Sequence, residues 1–185
     1  AGAMQFLEKE CGRWQESSTR FGPMLHARLH PGEENSGKLV SHLKARARER
    51  AADLGCSLIL ADGAPGIGCP VISSLSGTDL VLAVTEPTPS GEHDLNRVLE
   101  LVDHFNVPAT VLINKYDLNP DYCKSIEELC VERGLPLAGK LPLDPVVTRA
   151  MCARQVLTEC GDHPFALEVA AIWRKLLQMA GSLAA

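Results

Sequence analysis

The chain has 185 residues, a mass of 19.9 kDa and a formal net charge of −5, enough polypeptide for one domain with a sizeable core. Its 45% apolar and 22% charged residues are a globular composition that excludes intrinsic disorder. The acidic balance argues against a nucleic-acid-coating surface, and no apolar run approaches the ~20 residues needed to cross a bilayer.

Residues 5–19 are polar and mixed and predict an irregular strand or hairpin; Glu8, Lys9, Glu10 and Arg13 leave no room there for a signal-peptide core. Met24 to Leu29 predicts a strand, closed by the turn Pro31-Gly32. A helix follows. Leu39, Val40, Leu43, Ala47 and Leu54 share one face, Asn35 or Ser36 caps the start, and Gly55 ends it.

Three apolar runs come next: Ser57 to Ala61, Leu80 to Val84 and Ala109 to Ile113. Runs of this length, apolar on both faces, predict parallel strands covered by helices. The helices lie between and after them. Thr88-Pro89 predicts a cap and first turn, with Leu95, Val98, Leu99, Val102 and Phe105 as the buried stripe. Residues 121–133 predict a helix with Tyr122, Ile126 and Leu129 inward, residues 137–141 a short strand, and the last helix begins near Pro164 and buries Phe165, Val169, Ile172, Trp173 and Leu176. The alternation predicts an α/β fold with a doubly wound, mostly parallel sheet and helices on both faces. We read 1–185 as one domain, with 5–30 as a hairpin or strand entry and 31–185 as the α/β core. Ligands in such sheets sit beyond the carboxyl ends of the strands, which places Asp62, Glu86 and Asn114 where a site is expected.

Asp62-Gly-Ala-Pro-Gly-Ile-Gly-Cys-Pro70 is the strongest segment. A carboxylate at a strand end followed by a glycine-rich loop suits water-mediated Mg²⁺ binding and close approach of a glycine amide to a phosphate. It equally suits a strand-to-helix turn with an Asx cap. Asn114-Lys-Tyr-Asp117 resembles the guanine-reading N-K-x-D pattern of GTPases, and an Asn amide there offers a donor and an acceptor to a purine edge; the bland reading is a turn. Gly32-Glu-Glu-Asn-Ser-Gly-Lys38 satisfies G-x-x-x-x-G-K, but Leu39 stands where Ser or Thr would bind Mg²⁺, and Glu33 and Glu34 would repel phosphate. It reads as an acidic helix start, favoured by the helix dipole.

The basic residues Lys44, Arg46, Arg48 and Arg50 are interrupted by Glu49 and Asp53 and read as a solvated helix face. Seven cysteines, at 11, 56, 69, 123, 130, 152 and 160, include no C-x-x-C pair, which predicts reduced thiols in a cytoplasmic protein. Those at 56, 123, 130, 152 and 160 read as small core residues, and a buried thiol is the default for Cys69 as well. His26 and His30 are four apart on a predicted strand, roughly 13 Å, too far for one ion.

Gly22-Pro-Met-Leu-His-Ala-Arg-Leu29, Gly32-Glu-Glu-Asn-Ser-Gly-Lys-Leu-Val40, Asp62 to Pro70, Glu86-Pro-Thr-Pro-Ser-Gly-Glu-His-Asp-Leu95 and Val111-Leu-Ile-Asn-Lys-Tyr-Asp-Leu-Asn119 together resemble the MinD-superfamily ATPases with an inserted ferredoxin domain. These belong to the wider MinD/ParA/Mrp and cobyrinic acid a,c-diamide synthase group. The resemblance runs from about residue 5 to the last helix. It implies ATP binding and slow hydrolysis at a homodimer interface with Mg²⁺. Asp62 would hold the Mg²⁺ shell as the catalytic acidic residue, and Gly66 would sense the γ-phosphate. Asn114 would read adenine, with Pro142 and Asp144 walling the base and ribose. Glu86 and Ser90 would begin a loop crossing to the partner subunit. Cys69, seven residues after Asp62, has the spacing of a cluster-ligand cysteine in the nitrogenase iron protein.

Relatives of this type open with a P-loop strand and two Cys-rich iron–sulfur motifs, and these segments are not in the chain. The resemblance therefore implies the carboxyl-terminal part of such an ATPase, lacking its first strand, whose phosphate cradle and iron–sulfur cluster belong to the parent's missing segments. It would not hydrolyse ATP alone, and unpaired backbone would border the gap. The rival readings are an ATP-dependent ligase of the cobyrinic acid diamide synthase type, a GTPase, and a non-catalytic regulatory domain.

Overall fold

The computed structural model describes residues 10–32 and 36–183, with no account of the Ser36 side chain. Part of the hairpin expectation (5–9) and the helix start read from Glu33, Glu34 and the Asn35 or Ser36 cap lie outside the described residues. The chain divides at Ser76/Gly77 into two compact units, each taken here by itself.

In the first unit, β1 (Gly12–Thr19) and β2 (Gly22–Leu29) form an antiparallel hairpin in which Gly12 faces Leu29 and Thr19 faces Gly22. Ser17 Oγ and His26 Nε2 lie 2.9 Å apart across the strands, so His26 is engaged within the hairpin. α1 (Ser36–Leu54) follows. Arg50 Nε reaches Glu16 Oε1 at 2.7 Å, and Arg46 lies over the Trp14 ring, which ties the basic helix face to β1. The short α2 (Cys69–Leu75) buries Val71 and Leu75, and the Lys44 ammonium bonds the Ser74 and Ser76 carbonyls at its carboxyl end.

The strand expected over Ser57–Ala61 does not form. Residues 56–64 are irregular, and Leu58, Ile59 and Leu60 are exposed, Leu60 at 78%. A strand is stable only when a neighbour takes up its backbone N–H and C=O groups, and among the described residues no strand pairs with this run. Its apolar character is thus not matched by burial.

The second unit is a three-stranded parallel sheet in the order β3 (Val81–Thr85), β4 (Ala109–Asn114), β5 (Leu137–Leu141). β4 is central and buried on both faces. Val111 and Ile113 point to one face, where Leu95 and Leu99 of α3 (Pro89–His104) and Cys123, Ile126 and Cys130 of α4 (Pro120–Glu132) close the core. Leu112 points to the other, under Val146 of α5 (Pro145–Cys152) and Phe165, Ile172 and Leu176 of α6 (Pro164–Leu183). Three of these helices share one start signal, a capping side chain followed by proline: Thr88-Pro89, Asn119-Pro120 and Asp144-Pro145. Each cap oxygen accepts a backbone N–H of the first turn, and proline at the first position loses no hydrogen bond there.

Several inward residues differ from expectation. Trp173 is exposed, because the face of α6 that meets the sheet carries Ile172 and Leu176. On α4, Cys123 and Cys130 are buried with Ile126, whereas Tyr122 and Leu129 are only partly covered. Cys123 and Cys130 are the small core residues expected; Cys56, Cys69 and Cys152 are exposed, because each stands at or just beyond a helix end.

Candidate functional site

Parallel register aligns the carboxyl ends of the strands. Thr85 pairs with Ile113 and Asn114 with Leu141, so Glu86, Asn114–Lys115 and Pro142 emerge as one row. Two polar ties bind this row together. Lys115 Nζ lies 2.7 Å from Glu86 Oε1, joining the tails of β4 and β3. The Leu143 backbone N–H donates to Asp117 Oδ1 at 2.7 Å, joining the tails of β4 and β5.

The local sequence builds these ties. Lys115 takes a left-handed conformation (φ 53°, ψ 43°), which turns the chain sharply after Asn114 and leads into the 3₁₀ turn Tyr116–Leu118 that carries Asp117. The turn is closed by Leu118 N–H on the Lys115 carbonyl at 3.0 Å. Asp144 caps α5 by accepting from Val146 N–H at 2.7 Å, so the link Pro142–Asp144 is pinned at both ends. On the β3 side, Thr88 Oγ1 accepts from Gly91 N–H at 3.0 Å, and the buried Thr85 Oγ1 donates to the Gly91 carbonyl at 3.0 Å. A Cβ on Gly91 would stand 2.2 Å from the Glu86 carbonyl oxygen, so only glycine lets α3 start this close to the strand end.

Asn114, Pro142 and Asp144 thus stand together at one sheet edge, with Glu86 beside them and Ser90 exposed in the first turn of α3. Asp144 acts in the fold as a helix cap. The pairs Lys115–Glu86 and Asp117–Leu143 were not legible beforehand as contacts, since their partners are far apart in the chain; the polar character of strand-end residues was the available signal.

Asp62, Gly66 and Cys69 belong to the first unit. Asp62 is exposed in the irregular segment after Leu60, not at a strand end. Gly66 has φ +86°, and a Cβ there would meet open space; the left-handed backbone accounts for the glycine, and the open surroundings are compatible with approach of a phosphate. Cys69 begins α2 and is exposed, not buried as expected. Among the described residues no three His, Cys, Asp or Glu side chains converge to hold a metal, so Cys69 has no ligand set around it and we derive no chemistry through a cluster there. The G-x-x-x-x-G-K pattern also recurs at Gly134–Lys140, where Gly139 and Lys140 lie inside β5, as strand residues and not as a phosphate loop.

Elsewhere in this unit, the Lys140 ammonium sits 2.5 Å from Glu127 Oε1, a contact that raises its pKa above the ordinary lysine value. Burial, aided by Glu127, raises the Cys123 and Cys130 thiols.

No known protein-family model matches the chain. It is 37% identical over 113 residues to the uncharacterized protein MJ0578 of Methanocaldococcus jannaschii, covering 61% of this chain and 39% of that protein. It is 26% identical over 168 residues to MJ0579 of the same organism, covering 91% and 56%. The chain therefore spans about half the length of the curated relatives it matches, or less. Among solved structures it is similar to the MinD cell division protein of Aquifex aeolicus, with a TM-score of 0.62 and 19% identity over 75% of this chain and 61% of that one. No described helix is long and apolar enough to cross a membrane. The likeness establishes the architecture: an α/β fold with a parallel sheet flanked by helices, similar to that of MinD.

Proposed function

We propose that the chain is the adenine-nucleotide-binding portion of a MinD-like ATPase. The observation that carries this reading is the row of Glu86, Asn114, Pro142 and Asp144 at the carboxyl edge of a parallel sheet, the place where open α/β sheets take their ligands. On this reading the Asn114 amide faces the purine edge, as Asn pairs with adenine donors and acceptors elsewhere, and the Pro142–Asp144 link forms the wall beside it. ATP with Mg²⁺ would supply the transferable phosphoryl group; the roles of Asp62 toward the ion's water shell and of Gly66 toward a phosphate rest on the motif resemblance alone.

The phosphate cradle is then contributed by polypeptide other than these residues. The chain holds no G-x-x-x-x-G-K followed by Ser or Thr. The outer edge of β3 bears no partner strand among the described residues, and its Val84 is 58% exposed, which leaves backbone groups ready to pair with one more strand. Hydrolysis would need that strand, so this chain alone is inactive on this reading. Service in iron–sulfur or electron-transfer chemistry, and assembly as a homodimer across the nucleotide face through Glu86 and Ser90, rest on the motif resemblance.

Calorimetric titration of the 185-residue chain with Mg-ATP tests the reading. Binding is expected, and Asn114→Ala is expected to weaken it about tenfold, the worth of one good hydrogen-bonded contact to a base. Binding unaltered by Asn114→Ala would reject it.

A further inference from the structure

Asp117 is the residue of Asn114-Lys-Tyr-Asp117 whose role the motif leaves open. We infer that Asp117 is a positioning residue that sets the base preference of the site: it is spent on holding the Pro142–Asp144 wall and is thereby withheld from guanine. The inference rests on the adenine-nucleotide reading above.

Guanine presents a ring N–H and an exocyclic amine side by side, and a carboxylate reads the two by turning both oxygens toward them. Asp117 has one of those two oxygens committed elsewhere. Its Oδ1 takes the Leu143 N–H at 2.7 Å, within the chain's own backbone. The turn that carries it is fixed on its other side, where the Leu118 N–H closes on the Lys115 carbonyl and Lys115 pairs with Glu86. The receiving link is equally constrained, running from the last residue of β5, Leu141, to the Asp144 cap of α5. Turning both oxygens of Asp117 to a base would break the Oδ1 contact that holds the wall.

The surroundings agree. Asn114, the remaining polar reader in the row, offers one donor and one acceptor, which complements the amine and ring nitrogen of adenine.

The test uses the full chain, with Asp117→Ala and Asp117→Asn, the latter keeping an acceptor oxygen. Amide hydrogen exchange without nucleotide reads the tie: Leu143 is expected to be protected in the native chain and in Asp117→Asn, and to exchange about fivefold or more faster in Asp117→Ala, the equivalent of one hydrogen bond. Titration with Mg-ATP and Mg-GTP reads the preference: tighter ATP binding in the native chain and in Asp117→Asn, and about fivefold weaker ATP binding in Asp117→Ala. Leu143 exchange indifferent to Asp117→Ala would overturn the inference, as would GTP preferred by the native chain and lost on Asp117→Asn. ATP binding that is intact but insensitive to Asp117→Ala refutes the inference and leaves the adenine reading standing; an intact tie with neither nucleotide bound refutes both.

Discussion

Lys115 and Glu86 meet at 2.7 Å across the carboxyl ends of two neighbouring strands, although 28 residues separate them. The ammonium and carboxylate are each roughly a third exposed, so solvent screens the pair and its stabilisation is held to about 1 kcal/mol or less. Lys115→Met and Glu86→Gln are therefore each expected to lower the urea-unfolding free energy by under about 1 kcal/mol, with a double-mutant cycle returning a small favourable coupling. A coupling of zero would show that the contact does not hold the two tails together.

Gly91 marks how closely α3 starts on β3. Because a Cβ there would come within 2.2 Å of the Glu86 carbonyl, Gly91→Ala is expected to cost about 1–3 kcal/mol, the range for forcing an extra group into a packed site. Chemical denaturation measures it. A neutral Gly91→Ala would mean that the helix start does not abut the strand end.

The run Ser57–Ala61 and the buried strand β4 look alike as sequence, and they divide in the structure. Ile126→Ala, in the core against β4, is expected to cost about 2–5 kcal/mol. Leu60→Ala, at a position 78% exposed, is expected to change stability by less than about 0.5 kcal/mol. Equal losses at the two positions would restore the expected strand.

That pair shows what could be read in advance. β3 and β4 were legible because their runs are apolar throughout, as strands of a covered parallel sheet are, and α3 and α4 because their apolar stripes are local signals, reinforced in α3 by the Thr88-Pro89 start. Asp144-Pro145 is the same local signal for α5, where Asp144 serves as the helix cap. Strand formation at 57–61 depends on a neighbour that no local pattern encodes. At the site, Asn114 stands where the spacing placed it, whereas the commitments of Lys115 to Glu86 and of Asp117 to Leu143 are set by sheet register, which joins residues distant in the chain.

Thiol reactivity separates the cysteines. Cys56, Cys69 and Cys152 are exposed, and Cys123 and Cys130 are buried with thiols raised by that burial, which disfavours the reactive thiolate. With an aromatic disulfide reagent at pH 8, the first three are expected to react promptly and Cys123 and Cys130 only on unfolding. Prompt labelling of Cys130 in the native chain would contradict the core described here.

The Lys140–Glu127 contact carries a pH signature. Its lysine pKa is raised in the folded chain, so its stabilisation is fully present below the unfolded lysine value of about 10.4 and is lost as pH rises through the folded value. The pair is partly exposed, which limits the effect to about 1 kcal/mol. The stability difference between the native chain and Lys140→Met is expected to hold steady from pH 7 to about pH 10 and to shrink above it. A difference that grew above pH 10 would reverse the assignment.

The central claim is that the carboxyl edge of the parallel sheet receives the adenine end of a nucleotide. Backbone amide shifts of the 185-residue chain, followed by NMR as Mg-ATP is added, test it most directly. The account predicts saturable shifts concentrated at Glu86, Asn114, Lys115 and Leu143. Shifts confined to residues far from that edge, or none at any of these four at millimolar nucleotide, would contradict it.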